Sequence, residues 1–112
     1  MVIQALELSG SMVLLLGGDL DAVTVQELRE TVLDLLDVGW RRVVLDLSGL
    51  DRIYTAGILA LVELQAYMGS QDARLLCCGA RPFVRELLRI SLDRPLDLLP
   101  DLETALELAA SV

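Results

Sequence analysis

This sequence predicts an α/β fold: a mixed sheet of four to five strands, an N-terminal hairpin followed by parallel βα units, with about four helices. Three observations carry the prediction. Aliphatic runs bounded by glycine or polar turns recur along the chain. Segments with apolar residues at helical spacing separate the later runs. Strands that alternate with helices pair in parallel under a helical cover, whereas the first two runs are close enough for a hairpin.

The elements follow in order. Val2 to Leu8 is a strand turned at Ser9-Gly10-Ser11 onto Met12 to Leu16, a continuous apolar run that Gly17-Gly18 should end. Val23 to Asp37 reads as a helix, with Val25, Leu28, Val32, Leu35 and Leu36 on one face. Thr24 and Glu27 suit a capping box, and Gly39 lies just beyond the helix end. Arg42 to Leu47 is a buried strand followed by a short polar turn. Thr55 to Met68 is an apolar helix followed by Gly69. Arg74 to Cys78 is another buried strand, closed by Gly79. Pro82 suits the first turn of a helix to about Ile90, whose apolar residues include Phe83, Val84, Leu87 and Leu88. Leu96 to Leu99 reads as a short edge strand, and Asp101 as the N-cap of a last helix to about Ala109.

Composition narrows the function. The 112 residues fit one domain, 1–112, and one core. Hydrophobic residues make up 54% and aromatics only 4%, so that core is aliphatic. No apolar run reaches the roughly 18 residues of a membrane span, and Glu63 interrupts the longest suspicious one. The first residues lack the pattern of a secretory signal, so a cytoplasmic protein is expected. A net charge of −8 argues against nucleic acid as a partner. The absence of histidine removes His-dependent nucleophilic systems and the usual zinc sites. No phosphate-binding glycine loop is present. Cys77 and Cys78 are adjacent, and on a strand they point to opposite faces, so they read as small buried hydrophobes rather than a redox pair. Neither a catalytic group, a metal site nor a cofactor is expected.

The remaining signal is Thr55, a hydroxyl delivered by a strand and a turn to the start of an apolar helix. A threonine there is most often an N-cap worth about 1 kcal/mol. The same place, with unpaired N–H groups and a positive dipole end, also tolerates a phosphoryl group. Asp19 and Asp21 follow a strand end, where they suit turn formation and capping of the next helix. A functional reading instead places Asp21 near Thr55 at the same end of the sheet, where open α/β sheets commonly place function, though the sequence alone favours the turn and cap. Gly57 either permits close helix–strand packing or, with Ala56, lets a partner approach; both readings stand. Tyr54, an aromatic at an exposed turn, suits an interface.

Taken together, the ordered elements and several short motifs resemble the STAS domain family, specifically the stand-alone anti-sigma factor antagonists of bacteria. Gly18-Asp19-Leu20-Asp21 resembles the family's turn after the second strand. Val44-Leu45-Asp46-Leu47 resembles its third strand, and Ala80-Arg81-Pro82-Phe83-Val84-Arg85-Glu86-Leu87-Leu88 its following helix. Tyr54-Thr55-Ala56-Gly57 stands where the family carries Asp-Ser-Ser/Thr-Gly. Here Tyr54 replaces the acid, Ala56 the second hydroxyl, and Leu59 a common glycine. Ile90-Ser91-Leu92 lacks the glycine often found at that helix end.

The resemblance implies a single STAS domain and a binding protein, not an enzyme. Its partner would be an anti-sigma factor that is also a protein kinase. Phosphorylation of Thr55 would end that binding, and a phosphatase would restore it. The implied contact surface is Asp19, Asp21, Tyr54, Thr55, Ala56, Gly57 and Ile58. Nucleic acid and membrane insertion are not expected, and the oligomeric state is left open. Two alternatives stand beside this reading. One is a non-phosphorylated STAS subunit that binds the ATPase of a lipid-trafficking ABC transporter, and the other is a component of a stress-sensing scaffold.

Overall fold

A computed structural model describes residues 1–91 and 98–111. A sheet with strands in sequence order is built from β1 (Val2–Leu8), β2 (Ser11–Leu20), β3 (Arg42–Ile53), β4 (Arg74–Cys78) and β5 (Leu98–Leu99). β1 and β2 are antiparallel and every later pair is parallel, as alternation predicts. The helices are α1 (Val25–Asp37), α2 (Thr55–Ser70), α3 (Pro82–Ser91) and α4 (Leu102–Ala110). Of the predicted edge strand, Leu96 and Asp97 lie outside the described residues, as does Leu92.

Strand alternation divides the apolar residues between two cores. Leu14, Leu16, Val43, Leu45, Leu47, Leu75 and Cys77 face α1, α2 and α3. Val13, Val44, Leu76 and Cys78 face α4, through Ala105 and Ala109. The adjacent cysteines therefore occupy different cores, both fully buried. Burial, with Asp46 and Asp101 adding negative charge, pushes the Cys78 thiol up to about 12, so it stays protonated at neutral pH. No described helix is long and apolar enough to cross a membrane.

Local chemistry accounts for the boundaries. Ser9 and Gly10 both have positive φ, 53° and 79°, the conformation of a tight two-residue hairpin turn. Gly39, at φ +107°, ends α1 where Gly39 N–H donates to Leu36 O and Trp40 N–H to Leu35 O. α2 runs through Gly69 to Ser70, beyond its predicted end. Its left-handed residue is Asp72, at φ 56°, and Ala73 N–H closes back on Met68 O.

Two expectations are corrected. Gly17-Gly18 does not end β2, and Ser48 to Asp51 is not a turn: both strands continue, to Leu20 and Ile53. Gly17 pairs with Gly49 and Leu20 with Ile53, with register shifts at Leu15/Gly17 and Gly18/Asp19. Gly49 is needed because the strands crowd each other there, while Gly18 takes a left-handed φ of +90° beside a register shift. A Cβ on Gly49 would lie 2.5 Å from Leu16 O. The capping box is also absent. Thr24 has helical φ and ψ and no side-chain cap bond, because the helical turn begins earlier, at Asp21.

Candidate functional site

The extension of β2 and β3 brings two loops together. Leu20 and Ile53 are ladder partners, and Tyr54 N–H donates to Leu20 O at 2.9 Å. Asp21 and Thr55 therefore leave neighbouring strand ends at one end of the sheet. Asp19, Asp21, Tyr54, Thr55 and Ala56 are all accessible there, while Gly57 and Ile58 are buried.

Asp21 closes the first loop. Its Oδ1 accepts from Val23 N–H and Thr24 N–H, both at 2.9 Å, and Val25 N–H donates to Asp21 O. These are the bonds of a helix N-cap. The Thr24 N–H is the main reason the Asp21 carboxyl is held below its ordinary pKa. Thr24 Oγ1 donates to Asp19 O and accepts from Asp21 N–H, so the loop is locked at both ends.

The second loop is built differently. Tyr54, extended at φ −114° and ψ 171°, is the N-cap of α2, and Thr55 is the first helical residue. This corrects the expectation that Thr55 caps the helix: no side chain does so. Ile58 N–H bonds to Tyr54 O, which leaves the N–H groups of Thr55, Ala56 and Gly57 without intrahelical partners. Packing holds the turn instead. A Cβ on Gly57 would meet Leu20 Cγ at 2.7 Å and Leu20 O at 2.8 Å. Gly57 thus serves helix–strand contact, and with Ile58 it supports the surface from beneath. Thr55 stands exposed above them beside the small Ala56.

Sequence reasoning missed the other side of the site. A shallow groove of about 710 Å³ runs from Tyr54 and Arg52 to Arg81, Phe83 and Leu87 on α3. Arg81 spans it, donating from Nε to Ser48 O at 3.0 Å and from Nη1 to Asp51 Oδ1 at 3.2 Å. Arg52, opposite Asp19 in the ladder, is held above the ordinary arginine pKa, by the Tyr54 side chain first and then by Asp19 and Asp51. Tyr54 is 45% exposed and Phe83 68%, so the groove has exposed aromatic sides, with the buried Ile53 and Val84 beneath and the exposed Asp51, Arg52 and Arg81 at its rim. The usable signal was Arg52 and Arg81 flanking what read as turns; it went unread because strand β3 was ended too soon.

The groove's carboxylate and guanidinium groups adjoin Tyr54, the residue before the exposed Thr55. Among the described residues no cluster of His, Cys, Asp or Glu is placed to hold a metal ion. Thr55 is exposed at this surface, next to residues that offer both charge and aromatic area.

Comparison with known proteins agrees in scale. The family described as "Mlab, STAS domain" matches residues 4–100. A Bordetella bronchiseptica protein provisionally named anti-sigma factor antagonist BtrV is 31% identical over 85 residues, covering 76% of this chain and 73% of that protein. An anti-sigma factor antagonist from Mycobacterium paratuberculosis superposes with a TM-score of 0.82 at 22% identity, over 96% of this chain and 92% of that one. The Bacillus cell fate determinant SpoIIAA in its phosphorylated form gives 0.71 at 17% identity, over 95% and 97%.

Proposed function

This chain belongs to the STAS domain family and is related to anti-sigma factor antagonists, and from that premise we propose that it binds a kinase-type anti-sigma factor and frees a sigma factor. The switch is phosphorylation of Thr55. The domain, residues 1–112, acts as a cytoplasmic binding protein without cofactor or catalysis of its own, and a phosphatase resets it.

One observation carries this reading. Thr55 is exposed at the first residue of α2, where the joined ends of β2 and β3 bring up Asp19, Asp21 and Tyr54. A phosphoryl group there meets free N–H groups and the favourable end of the helix dipole, so the fold tolerates it. It adds roughly −1.5 to −2 of charge to a surface a partner must desolvate. Binding is lost by local electrostatics, with little change of shape.

The test uses wild type, Thr55→Glu and Thr55→Ala as baits in the native host, with partners identified by mass spectrometry and their affinities then measured. The expected result is a kinase-type anti-sigma factor held by wild type and Thr55→Ala. Thr55→Glu should bind it about 2 kcal/mol or more weaker, the scale of an unpaired interfacial charge. Equal binding of Thr55→Glu would refute the switch.

A second reading has its own support. The matching family description includes the name Mlab, and Ala56 removes the second hydroxyl next to Thr55. A transporter ATPase captured equally by wild type and Thr55→Glu would favour a non-phosphorylated transporter subunit.

A further inference from the structure

β1 forms one edge of the sheet, and that edge is unusually open to another strand. It pairs with β2 through all 7 of its residues, from Val2↔Gly17 to Leu8↔Ser11, with no register shift. The opposite edge, β5, is only 2 residues long. Folded proteins block their edges with proline, lysine, bulges or very short strands. β1 has the sequence Val-Ile-Gln-Ala-Leu-Glu-Leu, with no proline, lysine or bulge, and its one charge, Glu7, stands next to its last residue. Its apolar side chains are also only partly covered. Ile3 leans on the α1–α3 core, Leu6 and Leu8 on the α4 core, and Val2 is 61% exposed. An added strand would cover apolar groups on both faces and pair the outward N–H and C=O groups.

We propose that two copies of this chain pair through β1, antiparallel, about a two-fold axis at Ala5, so that one sheet runs through both. The strand is matched to itself. An axis normal to the sheet and passing through a residue keeps the helix layers of both copies on matching sides. With the axis at Ala5, Val2 faces Leu8 of the second copy, Gln4 faces Leu6, and Ile3 faces Glu7. Two alanine methyl groups meet on the axis, where bulk would hold the strands apart. The Glu7 carboxylates fall at opposite ends of the ladder, so no like charges stand directly opposed. The edge thus pairs Val2 with Leu8 and Ala5 with itself, opposes no like charges, and has no cationic row to select an acidic foreign strand. β3 and α2 lie further into the sheet, so Thr55 stays outside the interface and the pairing is independent of the proposed switch.

Sedimentation equilibrium of the full chain over a concentration series tests this. The expected mass rises from 12.2 kDa toward twice that value. Ala5→Lys and Ala5→Glu each set like charges across the axis and should each weaken self-association at least about tenfold. Ala5 is exposed, so circular dichroism and denaturant midpoints should remain near wild type. An equimolar mixture of the two variants places lysine opposite glutamate and should restore the dimer. Thr55→Glu should pair like wild type. A wild-type chain that stays monomeric throughout overturns the proposal. So does a variant that pairs as tightly as wild type, or a mixture that fails to recover. A monomeric wild type whose Ala5→Lys variant loses a protein partner would assign the edge to that partner instead.

Discussion

The starts of α2 and α4 are the same backbone solved in two ways. Both N-caps are extended, Tyr54 at ψ 171° and Asp101 at ψ 171°, and both carbonyls accept the first helical bond. At α4 the Asp101 side chain accepts from Thr104 N–H at 2.8 Å. At α2 no side chain takes that place, and the turn is pinned by Gly57 against Leu20 and Ile53. A capped terminus is self-sufficient. An uncapped terminus held by packing leaves its N–H groups open, next to a hydroxyl that another protein can reach.

The comparison breaks most easily at Gly57. Gly57→Ala should destabilise the fold by about 2–3 kcal/mol, because the methyl meets both Leu20 Cγ and a backbone oxygen that cannot move cheaply. Denaturant unfolding measures it. A neutral result would mean that α2 is not held by this contact.

Exchanging the caps sharpens it. Asp101→Ala should cost about 1 kcal/mol, while Tyr54→Asp should gain a similar amount by supplying the missing acceptor. A Tyr54→Asp variant no more stable than wild type would show that α2 has no unmet need at its N-terminus.

Acid offers a reagent-free version. The Asp101 carboxyl is held below its ordinary 3.8 by the Thr104 N–H, and Asp21 is lowered chiefly by Thr24 N–H. A lowered native pKa stabilises the fold above 3.8, and that contribution is lost as pH falls through the native value. Asp101→Asn keeps a cap but cannot titrate, so its melting temperature should fall less steeply below that pH. An unchanged slope would remove Asp101 from the acid response.

The smallest effect is expected at Thr55. Thr55→Ala should change stability by no more than about 0.5 kcal/mol, since its side chain caps nothing and is exposed. A loss near 1 kcal/mol would return Thr55 to a structural role.

Much of this was legible from local pattern. Arg74 to Cys78 and the Asp101 cap were read to the residue, because a short aliphatic run closed by glycine and an aspartate before a helix are local signals. The misreadings lie where β2 meets β3. Gly17-Gly18 and Ser48-Gly49 look like turns because glycine usually breaks strands. Here Gly49 lets two strands crowd together and Gly18 supplies a left-handed residue beside a register shift; the need for space at Gly49 comes from Leu16, far away in sequence. Thr24 and Thr55 were taken for caps by residue type, while the actual starts of both helices were set by where those strands end.

The sequence by itself determined the order of elements, the aliphatic character of the interior, and a hydroxyl at the start of α2. Those follow from periodicity and residue chemistry, which act over a few positions. Only the tertiary structure decided that the sheet continues past its glycines, that the apolar residues divide between two cores, and that Arg52, Arg81 and Phe83 border a groove beside Tyr54. Those depend on which backbone lies beside which, and that is set by pairing between strands and helices remote along the chain.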